Sequence, residues 1–130
     1  MILLDTHVLI FDALAPERLS AMAMAAIERG AARGELAWAD ISLWETAMLV
    51  ARGRISPAFD AQPFIEDMLL ARRVKVLPIS PEIAVLAQDL AFTHGDPADR
   101  LIAATARRHG VPLVTADEKL RGLPGVTSIW

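Results

Sequence analysis

The sequence predicts an α/β fold in which a parallel sheet carries helices on both of its faces. Short apolar segments alternate with segments of helical spacing about five times along the 130 residues. The strand candidates are apolar throughout, which is typical of strands buried on both faces, as in parallel sheets. Right-handed crossovers then bring the carboxyl ends of the strands to one edge of the sheet, where α/β proteins hold their ligands.

The first half of the chain contains two strand candidates, three helix candidates and a loop. In chain order they are a strand at 1–5, helices at 6–15 and 16–34, a strand at 35–39, a helix at 40–53 and a loop at 54–62. The second helix has Pro16 in a first-turn position and ends among glycines, which is the usual asymmetry of a helix. Gly53 closes the third helix.

The second half continues the alternation to the end of the chain. It has a helix at 63–73, a strand at 74–79, helices at 80–92 and 95–110, a strand at 111–116, a short helical turn at 117–123 and a last strand at 126–130. Ser80 is the predicted cap of its helix, with Pro81 at the first position. Because no repeat or long linker interrupts the pattern, residues 1–130 are predicted to form one domain.

The composition is unusually apolar for a soluble monomer. Hydrophobic residues make up 54% of the chain and the mean hydropathy is +0.38. No apolar run reaches the ~18 residues of a membrane span, so we expect a core and a subunit or partner interface, and no membrane association. The first ten residues lack the features of a signal peptide, and the chain has no cysteine, so we expect a cytoplasmic protein.

The charge balance argues against a protein built for tight, non-specific nucleic-acid binding. The chain has 13 basic and 16 acidic residues, for a net charge of −3. Such binding usually requires a basic excess. Any contact with nucleic acid must therefore be local, transient or mediated by a cation.

Four carboxylates stand where the predicted fold places ligands. Asp5 ends the first strand, and Asp117 ends the strand at 111–116. Glu45 and Asp99 come from helices, and each lies on or beside an apolar stripe. A carboxylate in that position is costly to bury unless a partner compensates its charge.

Each of these acids also has a simpler interpretation. Asp5, Asp99 and Asp117 could cap helices or stabilise their first turns, Glu45 could pair with an arginine, and Asp96 is interpreted as a cap. A single shared site explains the four acids at once, and carboxylates that converge without a cation repel one another. All-oxygen ligation favours Mg²⁺ or Mn²⁺ over zinc, so the sequence predicts a hard divalent cation bound by these four side chains.

Other side chains near these acids have mainly structural interpretations. His7 follows the acidic strand end and could reach the site, although a packed or surface position is the simpler interpretation. Trp38 and Trp44 are predicted in the core or at an interface. Arg100 faces about a third of a turn away from Asp99, which favours a structural salt bridge.

Four segments carry a resemblance to a known family. "MILLDTHVLI" (1–10), "SLWETAML" (42–49), "DPADRLIAATA" (96–106) and "VPLVTADEKL" (111–120) resemble the PIN-domain ribonucleases, in particular the VapC-like toxins of bacterial type II toxin–antitoxin pairs. The likeness extends over the whole chain. It implies a three-layer fold with a five-stranded parallel sheet in the order 3-2-1-4-5, which brings Asp5 and Asp117 onto neighbouring strands.

The resemblance also implies chemistry. By position, Asp5, Glu45 and Asp99 match the core acids of the family and Asp117 matches its more variable fourth acid. Asp96 matches a frequent aspartate that is not usually counted among the ligands. The implied activity is Mg²⁺- or Mn²⁺-dependent endonucleolytic cleavage of RNA.

The implied partners are a second copy of the chain and a small antitoxin. The first two helices are the hypothetical antitoxin surface, with Met22 and Met24 exposed. Many relatives have an aromatic residue at the position of Ala98 and a lysine near Leu49. Because this chain differs from them at both positions, these residues do not indicate its substrate.

Several other function classes fit the sequence less well, and two remain open. A haloacid-dehalogenase phosphatase would need an aspartate two positions after Asp5, where this chain has His7. A receiver domain would need a phosphoacceptor at the end of the third strand, where this chain has "PIS" (78–80). Dinucleotide binding would need a G-x-G-x-x-G motif after the first strand, and this chain has none there. A catalytically silent scaffold of the same fold and a DNA-directed nuclease remain open.

Overall fold

Five parallel strands form one sheet in the computed structural model, which describes residues 1–89 and 95–130. The strands are β1 (Ile2–Leu4), β2 (Leu36–Ala39), β3 (Lys75–Leu77), β4 (Leu113–Val114) and β5 (Ser128–Ile129). Their order is β3-β2-β1-β4-β5, and every pairing is parallel. The predicted fold class and strand order are therefore confirmed.

Seven α-helices connect or follow these strands in the described part of the chain. They are α1 (Thr6–Leu14), α2 (Ala21–Arg33), α3 (Ile41–Ala51), α4 (Ala61–Arg72), α5 (Pro81–Leu86), α6 (Pro97–His109) and α7 (Glu118–Arg121). The end of the predicted helix at 80–92 falls on residues 90–92, which lie outside the described residues. Within the two described ranges, none of these helices has the length and hydropathy needed to cross a membrane.

The predicted helix at 16–34 is wrong at its start. Pro16 begins a short 3₁₀ turn, Pro16–Arg18, and the α-helix begins only at Ala21. Ser20 has extended backbone angles and its Oγ accepts a hydrogen bond from the N–H of Ala23 at 3.0 Å, so it caps α2. The cap at Ser20 therefore fixes the start of the α-helix at Ala21, later than the start that Pro16 alone predicts. The expectation that Met24 is exposed is also wrong, since it is half-buried.

Apolar side chains fill both faces of the sheet. Leu4, Val8 and Trp38 belong to a core cluster that includes residues of α1 to α4. Leu3 points to the opposite face and joins a second cluster with Ile102 of α6. Successive strand residues face opposite sides, so the continuous apolar runs supply two cores at once.

The central position of β1 determines where a ligand can bind. β1 pairs with β2 on one side and with β4 on the other, so the chain reverses its direction of winding there. A crevice forms outside the carboxyl ends of the strands at such a switch point. Asp5 follows β1 at this point, and Asp117 follows β4 on the same edge.

Candidate active site

The four predicted acids line one cleft at the carboxyl edge of the sheet. The cleft has a volume of about 320 Å³. Its lining consists of five acidic side chains and four others: Asp5, Glu45, Asp96, Asp99 and Asp117, with His7, Val8, Phe11 and Ala116. The side chains therefore meet although they are up to 112 positions apart in the chain (117 − 5).

Asp5 is fixed by two hydrogen bonds at the start of α1. Its Oδ1 accepts from the N–H of Thr6 at 2.8 Å, and its Oδ2 accepts from the hydroxyl of Thr115 at 2.7 Å. The side chain is 7% exposed. Burial raises the pKa of the Asp5 carboxyl above its usual range, although these hydrogen bonds and the nearby His7 oppose the rise. Asp5 is thus a helix cap and also part of the cleft.

Glu45 lies in the middle of α3 and is 8% exposed. Its Oε1 is buried and accepts no hydrogen bond from any residue in the described ranges. Burial raises the pKa of the Glu45 carboxyl, while Thr6 and His7 oppose the rise. Buried polar atoms without partners are rare and call for an explanation, and an ion is one of the few that fits.

Asp96 and Asp99 enter the cleft from the first turn of α6. The Oδ1 of Asp96 accepts a hydrogen bond from the N–H of Ala98 at 2.9 Å, as predicted for a cap. One carboxylate oxygen from each of Glu45, Asp96 and Asp99 lies within 4.8 Å of the others. The sequence predicts only the capping role of Asp96, and the structure shows that the same side chain also lines the cleft beside Glu45 and Asp99.

Asp117 caps α7 and lines the cleft. Its Oδ1 accepts from the N–H of Lys119 at 2.9 Å, and its own N–H donates to the hydroxyl of Thr115 at 3.0 Å. Thr115 therefore donates to the Asp5 carboxylate and accepts from the Asp117 backbone. A single buried hydroxyl positions both strand-end acids relative to each other.

The remaining side chains singled out in the sequence have varied positions. His7 is exposed and lines the cleft. Trp38 is fully buried in the core, whereas Trp44 is 62% exposed. Arg100 donates to the carbonyl oxygens of Ala87 at 2.7 Å and Asp89 at 3.3 Å, which gives it a structural role between α6 and the end of α5.

The donor set of the cleft fits a hard divalent cation. All five acidic side chains offer oxygen, and Mg²⁺ and Mn²⁺ prefer carboxylate and water ligands. Positive charge would also offset the repulsion between neighbouring carboxylates and satisfy the buried Oε1 of Glu45. Zinc is a poorer fit, because His7 is the only nitrogen ligand among the described residues that line the cleft.

Comparisons with known proteins agree with this geometry. Residues 2–126 match the PIN domain family. "Ribonuclease VapC22" of Mycobacterium tuberculosis is 41% identical over 132 residues, which cover 99% of this chain and 98% of that protein.

Solved structures share the fold. VapBC2 from Rickettsia felis, bound to a DNA fragment from its promoter, has a TM-score of 0.72 at 19% identity, with 98% of this chain and 97% of that chain covered. A toxin–antitoxin complex from Klebsiella pneumoniae has a TM-score of 0.63 at 23% identity, with 98% and 96% covered. From its sequence, its strand order and the acids at its sheet edge, the chain belongs to the PIN-domain family, among the VapC-like ribonucleases.

Proposed function

We propose that this protein is a divalent-metal-dependent endoribonuclease and the toxin of a type II toxin–antitoxin pair. The observation that carries the proposal is the cleft of five acidic side chains, in which the Oε1 of Glu45 is buried without a hydrogen-bond partner among the described residues. A relative that is 41% identical and named a ribonuclease supports RNA as the substrate.

Asp5, Glu45, Asp99 and Asp117 would hold Mg²⁺ or Mn²⁺, and Asp96 joins them in our assignment. When bound, such an ion supplies positive charge to the scissile phosphate and lowers the pKa of water. The ion also reconciles a polyanionic substrate with a chain of net charge −3.

Proton transfer from the attacking water is assigned to Asp99. Asp5 is only 7% exposed. Asp99 is half-buried and so is more accessible to water in the cleft. A general base must lie within hydrogen-bond reach of the proton that it accepts. Thr115 keeps Asp5 and Asp117 in place while Asp99 takes the proton.

The proposed partners are an antitoxin and a second copy of the chain. A structure with the same fold is a toxin–antitoxin complex. Large apolar side chains are exposed, among them Met22 at 63%, Phe59 at 61% and Leu70 at 78%. Contiguous exposed apolar patches mark protein interfaces, and these side chains are our candidates for such contacts. Because its proposed substrate is RNA, we also propose that the protein acts in the cytoplasm.

The test compares three proteins purified free of antitoxin: the wild type, Asp99→Asn and the matched surface control Asp67→Asn. Asp67 is exposed on α4 and does not line the cleft. Each is incubated with total RNA and with single-stranded DNA in Mg²⁺ or Mn²⁺, with and without EDTA. We expect RNA cleavage by the wild type and the control, loss with EDTA, and a rate at least about 100-fold lower for Asp99→Asn.

Two outcomes would contradict the proposal. Cleavage of DNA in preference to RNA would make the protein a DNA-directed nuclease, since a metal site alone does not recognise a 2′-hydroxyl. A folded wild type that cleaves neither nucleic acid would favour a silent scaffold that binds a partner protein.

A further inference from the structure

One wall of the acidic cleft continues into a row of aromatic and basic side chains, His7, Phe11 and Arg18, which we call the α1 strip. His7 and Phe11 belong to α1 and line the cleft together with the acids. The centroids of their rings are 6.0 Å apart. The guanidinium carbon of Arg18, from the 3₁₀ turn, lies 4.2 Å from the centroid of the Phe11 ring. The strip therefore leads from the acids to a cation outside the cleft.

Arg18 is available to a ligand. It is exposed, and within residues 1–89 and 95–130 it forms no ion pair and its side chain donates no hydrogen bond. By contrast, Arg72 of α4 is held by both oxygens of Asp12. Stacking on Phe11 restricts the guanidinium without using its five N–H donors. Part of the entropy of ordering this side chain is thus lost before any ligand binds.

We propose that the α1 strip binds the single-stranded RNA on one side of the cleavage site, with Arg18 on a backbone phosphate and the rings of His7 and Phe11 against a base. This inference rests on the proposed ribonuclease activity. A guanidinium suits phosphate oxygens, and unstacked bases of single strands commonly stack on aromatic side chains. Because His7 and Phe11 also line the cleft, a strand that occupies the strip enters the cleft directly.

The charge distribution makes such a contact useful. The five acids of the cleft repel a polyanion, and the chain has a net charge of −3. A permanent cation beside the cleft gives the strand an attractive contact outside the metal centre. Arg18 is therefore a substrate-binding residue that acts on affinity, and it contacts none of the reacting atoms.

The test uses Arg18→Ala, Arg18→Lys, Phe11→Leu and the control Arg33→Ala. Arg33 is exposed at the end of α2, just before β2, and so lies at the opposite edge of the sheet. The affinity for a fluorescein-labelled single-stranded RNA is measured by anisotropy across a series of KCl concentrations. All variants are made in the Asp99→Asn background, so that the probe stays intact. Cleavage kinetics are measured in the wild-type background.

Loss of one phosphate contact is expected to reduce the magnitude of the slope of log K against log salt by about 0.7. When the affinities of variant and parent coincide at 1 M KCl, the variant therefore binds RNA about fivefold more weakly at 0.1 M KCl. Arg18→Ala should show this change, with KM raised and kcat retained. Arg18→Lys should keep the slope, and Phe11→Leu should weaken binding by a smaller factor. Arg33→Ala should match the parent protein.

The failures are distinguishable. If the wild type cleaves RNA but Arg18→Ala keeps its affinity and salt slope, the α1 strip does not bind RNA and this inference is wrong, while the ribonuclease assignment stands. If Arg18→Ala loses only its capture of the co-expressed antitoxin, the strip is a protein interface. If the wild type does not cleave RNA at all, both proposals fail.

Discussion

Two carboxylates of the cleft, those of Asp5 and Glu45, are buried where a negative charge lowers the stability of the folded protein. Asp5 and Glu45 are both nearly buried, and burial raises the pKa of each carboxyl. Thr115 and the backbone of Thr6 compensate Asp5 with hydrogen bonds, whereas the Oε1 of Glu45 has no such partner among the described residues. Without a bound cation, Glu45 is therefore the position where neutralising the charge should stabilise the fold most clearly.

We predict that Glu45→Gln is more stable than the wild type in EDTA at pH 7, by about 0.5–2 kcal/mol. The folded-state pKa of Glu45 lies above the ordinary value of 4.5, so the folded state holds this proton more tightly than the unfolded state. The free energy of unfolding of the wild type then falls as pH rises between those two values, and it stays lower above them. Glutamine has no charge to lose, so its advantage should be absent below pH 4.5 and should grow as the pH rises through the raised pKa of Glu45.

Urea unfolding at a series of pH values measures this difference. Glu66→Gln is the control, because Glu66 is exposed on α4 and, among the residues that the structure describes, its carboxylate accepts a hydrogen bond only from Gln62. We expect the control to match the wild type within about 0.5 kcal/mol at every pH. Equal stability of Glu45→Gln and wild type at pH 7 would mean that burial of the charge carries no cost.

The acids show how far the sequence predicts this site. Asp5 and Asp117 could be placed because parallel strands end at one edge, and Glu45 and Asp99 because a carboxylate beside an apolar stripe needs a partner. Asp96 could not be assigned to the cleft, since a capping aspartate has the same sequence signature whether or not its second oxygen faces other acids. The contact of Arg18 with Phe11 was also not predictable, because it depends on the 3₁₀ turn Pro16–Arg18, which the sequence pattern did not indicate.

At the scale of elements, an ion pair joins α1 to α4. Nε and Nη2 of Arg72 donate to the two carboxylate oxygens of Asp12 at 2.9 and 2.8 Å. The Asp12 side chain is 8% exposed and that of Arg72 is 30% exposed. This hydrogen-bonded partner raises the pKa of Arg72. Planar, two-point pairing with a nearly buried carboxylate is the geometry in which an ion pair contributes most.

We predict that Asp12→Ala lowers the free energy of unfolding by about 1–2 kcal/mol, because it leaves a partly buried guanidinium without its acceptor. The comparison variant is Glu82→Ala, which removes the exposed ion pair of Glu82 with Arg108. We expect that loss to stay within about 0.5 kcal/mol, since solvent screens such a pair. Thermal or urea unfolding checks both. Equal effects of the two substitutions would show that α1 and α4 are held by apolar packing alone.

The elements themselves were largely predictable because each has a local signal. Apolar runs marked the strands, and Ser80 correctly marked the start of α5. The start of α2 was not predictable from Pro16, because a proline is equally compatible with a 3₁₀ turn and with the first turn of a helix. The strand order followed from the resemblance, since local patterns do not determine which strands become neighbours.

At the scale of the molecule, the cleft exists only when the fold is complete. Its acids follow β1 and β4, lie within α3 and begin α6, so they come from four separate parts of the chain. The unfolded chain cannot bring these groups together. A cation that binds the cleft therefore binds the folded state selectively and must stabilise it.

We predict that Mg²⁺ or Mn²⁺ raises the melting temperature of the antitoxin-free protein, with a gain of about 2.7 kcal/mol when the ion is at 100 times its Kd. EDTA should reverse the gain, and one cooperative transition is expected if residues 1–130 form a single domain. Asp67→Asn should respond like the wild type, whereas Asp99→Asn should respond much less at the same concentration. An unchanged melting temperature would show that the free protein binds no cation in the cleft, and an equal gain for Asp99→Asn would place the bound cation outside it. Either result would contradict the assignment of the cleft acids as metal ligands.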